Sequence, residues 1–405
     1  MSQLECGRTL RRTMSWGMIG ALIAMLVACS GGPVVTIQAL IDEAAPGEIV
    51  AIPAGTYREN LTISKSIVLT GEVDDSRGVE IVGKGDDEAA IEITGDVEVS
   101  LRAIAITRSK GVGISTADSA HVTLENVQAR GCASSGLSIR EQSSVTGIDC
   151  EFSECDRNGI TITGNGQLEA SNCLLELNAS AGLAAVTTGS ISLSSSDIRS
   201  NGENGITLAG ECSATMLDIT VDENGGGPVT AGQFVTLATV FSVVLGTGIS
   251  LSDQVSLILV DSDVTESERT GIVVFDQARI ELRNCRVLSN GQHGVLAVCD
   301  GDVFLISSTV GSNAAIGIFV AGKSHFDLES CQVRLNTGGG VAVYSIGCFG
   351  LDVYSSPYRF SGPISGANND ITRPGEQEGN SEFGCCPDSL WEILCREVAP
   401  ADDGS

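Results

Sequence analysis

A glycine followed by an aliphatic residue returns at a fixed interval, and that interval dictates the architecture. Gly113-Ile114, Gly136-Leu137, Gly159-Ile160, Gly182-Leu183 and Gly205-Ile206 stand 23 residues apart; Gly248-Ile249, Gly271-Ile272, Gly294-Val295, Gly317-Ile318 and Gly340-Val341 keep the same count. The 43 residues between the two series are expected to hold one slightly short turn starting near Gly227. Such a period belongs to solenoids, where each repeat buries its apolar face only by stacking on its neighbours.

With the glycine as position zero, apolar residues fall at +1, +3, +9, +11, +14 and +16, as in Ile160, Ile162, Leu168, Ala170, Cys173 and Leu175, or Ile272, Val274, Ile280, Leu282, Cys285 and Val287. These are three pairs at strand spacing, so each repeat holds three short strands with alternate side chains turned inward. Polar Asn126, Asp149, Asn172, Asp218, Asp261 and Asn284 at +13 mark a corner. Position +19 carries Asn178, Asn201, Asn224, Asn290, Asn313 and Asn336, preceded by Cys132 and Cys155. Stacked at roughly the 4.8 Å strand separation, these amides can donate and accept along the column, so an internal asparagine ladder is predicted. Helical repeats would need apolar spacing of three and four, which is absent. The predicted fold is all-β, a single-stranded parallel β-helix of roughly fourteen coils and on the order of 65 Å.

Ahead of the repeats, residues 36–46 place Ile37, Leu40, Ile41 and Ala44 on one helical face, and Pro46 stops the helix. Gly47-Glu-Ile-Val-Ala-Ile-Pro-Ala-Gly-Thr-Tyr57 and Glu59-Asn-Leu-Thr-Ile-Ser-Lys-Ser-Ile-Val-Leu-Thr-Gly71 follow. A capping helix, a strand ending in Pro-x-Gly-x-Tyr and then coils of about 23 residues resemble the right-handed parallel β-helix of the pectin-lyase-like superfamily. Strands are expected at Val79–Val82, Ala90–Ile93 and Val97–Ile106. The divisions read from the chain are a signal over 1–28, a tether over 29–34, a cap and first coils over 35–112, regular coils over 113–355, and a C-terminal loop and cap over 356–405. Within that last part, residues 388–395 are expected to form a short helix packing Leu390, Trp391 and Leu394 on the far end. The apolar strand Phe234 to Leu245 reads as either a register change or an exposed binding ridge.

Arg8, Arg11 and Arg12, the apolar run Trp16 to Val27 and a small residue before the cut form a secretory signal. Leu26-Val27-Ala28-Cys29 resembles the bacterial lipobox, in which Cys29 becomes the lipid-modified N-terminus, and Ser30 resembles the signal for outer-membrane delivery in Gram-negative lipoproteins. The expected partner is therefore a membrane, reached through acyl chains on Cys29. Removing residues 1–28 discards three Arg and one Glu and takes the formal charge from −28 to −30. That balance argues against nucleic acid, and it leaves neutral or cation-bridged polysaccharide as the expected glycan. A monomer is expected. Of 14 cysteines, those in repeat phase, Cys132, Cys150, Cys155, Cys173, Cys285 and Cys331, read as buried thiols. Cys348, Cys385, Cys386 and Cys395 could supply a disulfide tying tail to solenoid.

The resemblance implies enzymes such as pectate lyases, polygalacturonases and alginate epimerases, which act on polysaccharide along an outer sheet face. Their motifs are missing: Gln292-His293-Gly294 stands alone, and no Asp-Pro-His-Glu or Gln-Asp-Thr-Leu occurs. The residues best able to carry chemistry are Asp261 and Asp263 beside Arg283 and Arg286 of the next coil, since a carboxylate next to a guanidinium is what β-elimination of a uronide requires. A surface ion-pair stack explains the same spacing. Glu266 and Glu268 could add calcium ligands if the chain were a lyase; no other cofactor is indicated. His121, His293 and His325 fall on different turns, against a convergent metal site. The aromatic group Tyr344, Tyr354, Tyr358 and Phe360 is expected at the C-terminal edge. The function expected from this pattern is an envelope lipoprotein rod that binds a glycan or partner without catalysis; the alternative is a polysaccharide lyase, hydrolase or epimerase.

Overall fold

A computed structural model describes residues 36–72, 78–85, 88–226, 246–343, 364–372, 376, 379–380, 385–386 and 393–394. Cys29 and the signal segment, the strand expected at Phe234–Leu245, the aromatic group at 344–360, and the tail cysteines' side chains lie outside them.

The described chain is a parallel β-solenoid with three faces. Face A is built from strands such as Ser144–Ile148 and Gln167–Ser171, face B from Glu151–Ser153 and Leu174–Glu176, and face C from Leu137–Ile139 and Ile160–Gly164. Each residue sits beside its equivalent one repeat on: Leu137 pairs with Ile160, Val145 with Leu168, Phe152 with Leu175. Faces A and B join into one 24-stranded sheet because Glu98–Thr107 and His121–Arg130 run unbroken through their shared corner. Face C stands apart as a sheet of 13 strands, one fewer than the roughly fourteen coils expected.

The corners explain the polar residues at +13. Asn126, Asp149, Asn172, Asp218, Asp261 and Asn284 all have φ between 49° and 55°, the left-handed region that short polar side chains tolerate best among non-glycine residues. Two further columns share this conformation: Glu154, Leu177, Glu223 and Glu266 between faces B and C, and Asp118, Glu141, Asp253 and Asp276 between C and A. One such residue per corner turns the strand direction without lengthening the coil.

The asparagine ladder is present. Asn178 Nδ2 donates to Asn201 Oδ1 at 3.0 Å, Asn201 to Asn224 at 3.0 Å, Asn290 to Asn313 at 3.0 Å and Asn313 to Asn336 at 2.9 Å. Each Oδ1 also accepts the preceding rung's backbone N–H, as Asn201 does from Asn178 at 3.1 Å. These amides are fully buried, so the relay meets hydrogen-bonding demands that water cannot. The repeat glycine follows from the ladder. A Cβ on Gly182 would lie 2.9 Å from Asn201 Nδ2 and 2.5 Å from Ile198 Cγ2.

No coil occupies the 43-residue gap, contrary to the sequence reading. Ile206 pairs directly with Ile249, Ser213 with Ser256 and Thr220 with Asp263. At the corner, a Cβ built on Gly225 would sit 2.4 Å from Gly246 Cα. The chain therefore leaves the solenoid and rejoins it at one point, and the extra residues are an insertion at a corner.

The N-terminal end is covered as expected, whereas most of the C-terminal helix expected over 388–395, with Leu390 and Trp391, lies outside the described residues. Thr36 caps the helix Ile37–Glu43 by accepting from Ala39 N–H at 3.2 Å, and Ile37 and Ile41 are buried against the first coil. Glu59 fastens the same end, accepting from Ile37 N–H at 2.8 Å, while Lys65 Nζ donates to the carbonyl of Ala44 at 2.8 Å. At the far end Leu394 is buried and joins the core. The repeat-phase cysteines are free and buried thiols. Cys155 N–H donates to Asn178 Oδ1 at 3.1 Å, so that thiol stands at the head of the ladder.

Candidate functional site

Asp263 and Arg286 are direct partners on neighbouring face B strands, Asp263–Thr265 and Arg286–Leu288. The guanidinium grips the carboxylate with two bonds, Nε to Oδ1 at 2.7 Å and Nη2 to Oδ2. That grip pushes the Arg286 pKa above its ordinary value, through the hydrogen bond first and the charge second. Asp261 turns the corner between faces A and B and accepts from Asn284 Nδ2 at 2.5 Å. A hollow of about 350 Å³ opens there, lined by Asp261, Asp263, Asn284, Arg286, Ser307 and Thr309.

Three of the four residues singled out in the sequence are thus brought together, and Arg283 is not. Arg283 lies at the end of face A strand Arg279–Arg283 and donates through Nε to Glu281 Oε1 at 2.6 Å. Alternation decides this: Arg283 sits before the corner and Arg286 after it, so the two project from different faces. Asp263 and Arg286 bond each other, and Asp261 stands beside them in the same hollow. Among the described residues no three His, Cys, Asp or Glu side chains converge on a metal-sized space; Glu266 forms the next corner and Glu268 follows it, both exposed. His121 Nδ1 bonds Ser144 Oγ at 2.7 Å, while His293 accepts from Ile316 N–H at 3.3 Å and packs on Phe319.

The sequence reading missed what surrounds Arg283. Glu281 faces Phe304 on the neighbouring strand Asp302–Ile306, and Arg279 faces Asp302. The Arg279 guanidinium lies 4.1 Å from the Phe304 ring centre, and His325 meets the same ring edge-on at 5.0 Å. Glu281 sits between both arginines, 2.5 Å from Arg283 and 3.9 Å from Arg279. Two cations share one anion here, on a chain whose overall balance is strongly negative. The signal was legible: Arg279, Glu281 and Arg283 occupy the outward positions +8, +10 and +12 of a single strand.

A larger hollow, about 560 Å³, lies on face B near the N-terminal end and is lined by Thr56, Glu80, Thr107, Asn126 and Gln128. Glu80 accepts from Thr107 at 2.7 Å and Thr56 at 2.9 Å, and these bonds hold its pKa below the ordinary carboxylate value. No ring lines this hollow, and the two hydroxyls occupy both Glu80 oxygens.

A family model described as a right handed beta helix region matches residues 89–240 and 238–350, and the chain belongs to that family. No curated protein matches it. Among solved structures it is similar to the periplasmic alginate epimerase AlgG, at 12% identity over 82% of this chain and 83% of that one, with a TM-score of 0.55. The A-module of the Azotobacter vinelandii mannuronan C-5 epimerase AlgE6 is similar at 16% identity over 90% and 91% of the two chains, with a TM-score of 0.46. Pectate lyase Pel9A is similar at 12% identity over 82% and 73%, with a TM-score of 0.42. At these identities the likeness concerns the fold.

Proposed function

We propose that this protein is an extracytoplasmic rod, anchored at the cell envelope through a lipid on Cys29, that binds polysaccharide across the junction of faces A and B. The observation that carries the reading is the Arg279–Phe304 stack beside Arg283. The ring holds the Arg279 guanidinium in place by a cation–π contact, and a sugar's hydroxyl or carboxylate oxygens accept from guanidinium groups so positioned. Around the corner, the hollow at Asp261 and Asn284 offers further amide and carboxylate partners within one coil's height. The strongly acidic remainder of the chain favours a neutral glycan, or an acidic one whose charge is bridged by cations. The alternative, a lyase, hydrolase or epimerase, would place its reacting sugar over Asp261, Asp263 and Arg286.

Affinity electrophoresis against alginate, pectate and neutral glucans, with and without calcium, tests the proposal. The chain should be retarded by at least one of them, and Phe304→Ala should weaken that retardation about tenfold, or roughly 1.4 kcal/mol. Wild-type retardation of Phe304→Ala, or retardation by none of the glycans, overturns it. Turnover of a retained glycan that is lost in Asp263→Ala would replace it with the enzymatic reading.

A further inference from the structure

The outer side of face C changes character along the solenoid. At the outward position +2, early coils carry Ser115, Ser138, Thr161 and Thr207, whereas later coils carry Val273, Leu296 and Phe319. These three stand in register, Val273 beside Leu296 and Leu296 beside Phe319. With Val298, Ala321 and Phe275 they form an apolar cluster separate from the interior core. Although they point outward, Val273 is 0% exposed, Leu296 1%, Val298 1% and Ala321 2%. A sheet surface facing water would show these side chains; here solvent is excluded.

We infer that this outer face is a docking surface for the chain's own segment 227–245, inserted between Gly226 and Gly246. The insertion point lies at the corner where face B passes into face C, one coil ahead of Val273. Residues 227–245 contain no Asp, Glu, Lys or Arg and include Phe234, Val235, Leu237, Phe241, Val243 and Leu245. An uncharged, aromatic-bearing stretch of that length matches an uncharged apolar face, and burying the two together removes both from water. The reach suffices. About nine residues out and nine back span roughly 30 Å each way, and the three coils from Gly248 to Phe319 rise only about 14 Å. Gly225 and Gly246 abut, so the insertion constrains nothing else in the solenoid. Face C is then occupied in its later coils, which leaves faces A and B to outside ligands.

The test places the photoreactive residue p-benzoylphenylalanine at position 319 of the full chain, irradiates it, and maps the linked peptide by mass spectrometry. The expected product is an intramolecular link to a peptide within residues 228–245. A link to residues 344–363, a link to a second copy, or no link overturns the inference. Excision of residues 226–245 supplies a second reading, because joining Gly225 to Gly246 restores the 23-residue period and should leave the coils folded. Anilinonaphthalene sulfonate fluorescence should then rise at least several-fold over the full chain. Unchanged fluorescence of the folded variant overturns the inference, and if the variant does not fold the photo-cross-link decides.

Discussion

Asn336 hands its amide to Asn380 across 44 residues of chain, Nδ2 to Oδ1 at 3.0 Å, while its backbone N–H meets the same oxygen at 2.9 Å. The ladder therefore runs one rung past the last regular repeat. Asn380 then donates to the carbonyls of Val333 at 3.0 Å and Thr372 at 2.6 Å. Asn380→Ala would strand two buried donors of Asn336, and the expected cost is about 2–3 kcal/mol. Urea denaturation followed by circular dichroism should show it destabilised as much as Asn313→Ala, whose rung lies inside the array. A near-neutral Asn380→Ala would mean the ladder ends at Asn336.

Between Asn224 and Asn290 the column holds Ser267, whose buried Oγ has no hydrogen-bond partner. Its hydroxyl is too short to reach the neighbouring rung, so the side-chain relay breaks there while the Ser267 N–H still donates to Asn290 Oδ1 at 3.1 Å. Ser267→Asn should restore it. The repeat glycine of that coil, Gly248, leaves the room an amide needs, just as Gly271 does beneath Asn290 Nδ2, 2.7 Å from where a Cβ would stand. A stability gain of about 1 kcal/mol is expected from the restored bonds; a lower urea midpoint would show that the site cannot take the amide.

Glycines of the same strand system should respond in opposite directions. A methyl on Gly182 would press on Ile198, Asn201 and the carbonyl of Gly205 at 2.5–2.9 Å, so Gly182→Ala is expected to cost about 2–3 kcal/mol through overpacking. Gly147 stands where other coils place Leu124, Ala170 or Leu193. A Cβ there meets Ala170 Cβ at 3.7 Å and the sulfurs of Cys150 and Cys173 at 3.9 Å, which is ordinary contact. Gly147→Ala should raise stability by about 0.5–1 kcal/mol, chiefly by restricting the unfolded chain. Thermal melts of the two variants would decide, and a shared sign would refute the packing argument.

These residues also show where sequence reading stops. The period, the inward positions, the ladder and the cap were legible because each depends on residues a fixed distance apart. Asn380 was not, since it enters the column from outside the repeat and only stacking assigns it. The insertion at Gly226 was misread as a coil because its length lies close to one period. Asp263 and Arg286 were correctly paired by their shared +15 position. Arg283 was misplaced because three positions along the chain cross a corner, and a corner turns neighbours in sequence onto different faces. Phe304 escaped notice because an outward aromatic becomes a platform only through its cross-strand neighbours.

The half-buried His293 ring should make the solenoid sensitive to acid. Burial pushes its pKa below the ordinary value, and Nδ1 accepts from Ile316 N–H, so the folded protein holds the neutral ring. The unfolded chain takes up a proton first, near pH 6.5. The stability this ring contributes is therefore complete above that pH and is lost as pH falls toward the folded-state value. The drop in melting temperature between pH 7.5 and pH 5 should be smaller in His293→Gln than in the wild type. Equal drops would mean the ring titrates alike in both states.

The Asp263–Arg286 pair separates a structural role from a functional one. Its side chains are 29% and 61% exposed, so water and salt screen the attraction despite two-point geometry. A double-mutant cycle through Asp263→Ala and Arg286→Ala should give a coupling of about 0.5–1 kcal/mol, shrinking in molar salt. A coupling of that size is too small to explain the pair as a clamp between coils, because the strands around it are already held by the backbone ladder and the buried aliphatic column. Should either single substitution abolish glycan retention or turnover while shifting the urea midpoint only slightly, the carboxylate and guanidinium would be serving a ligand. If both properties move together and only slightly, the pair is a surface contact, and the chemistry of this rod lies with Arg279, Arg283 and Phe304.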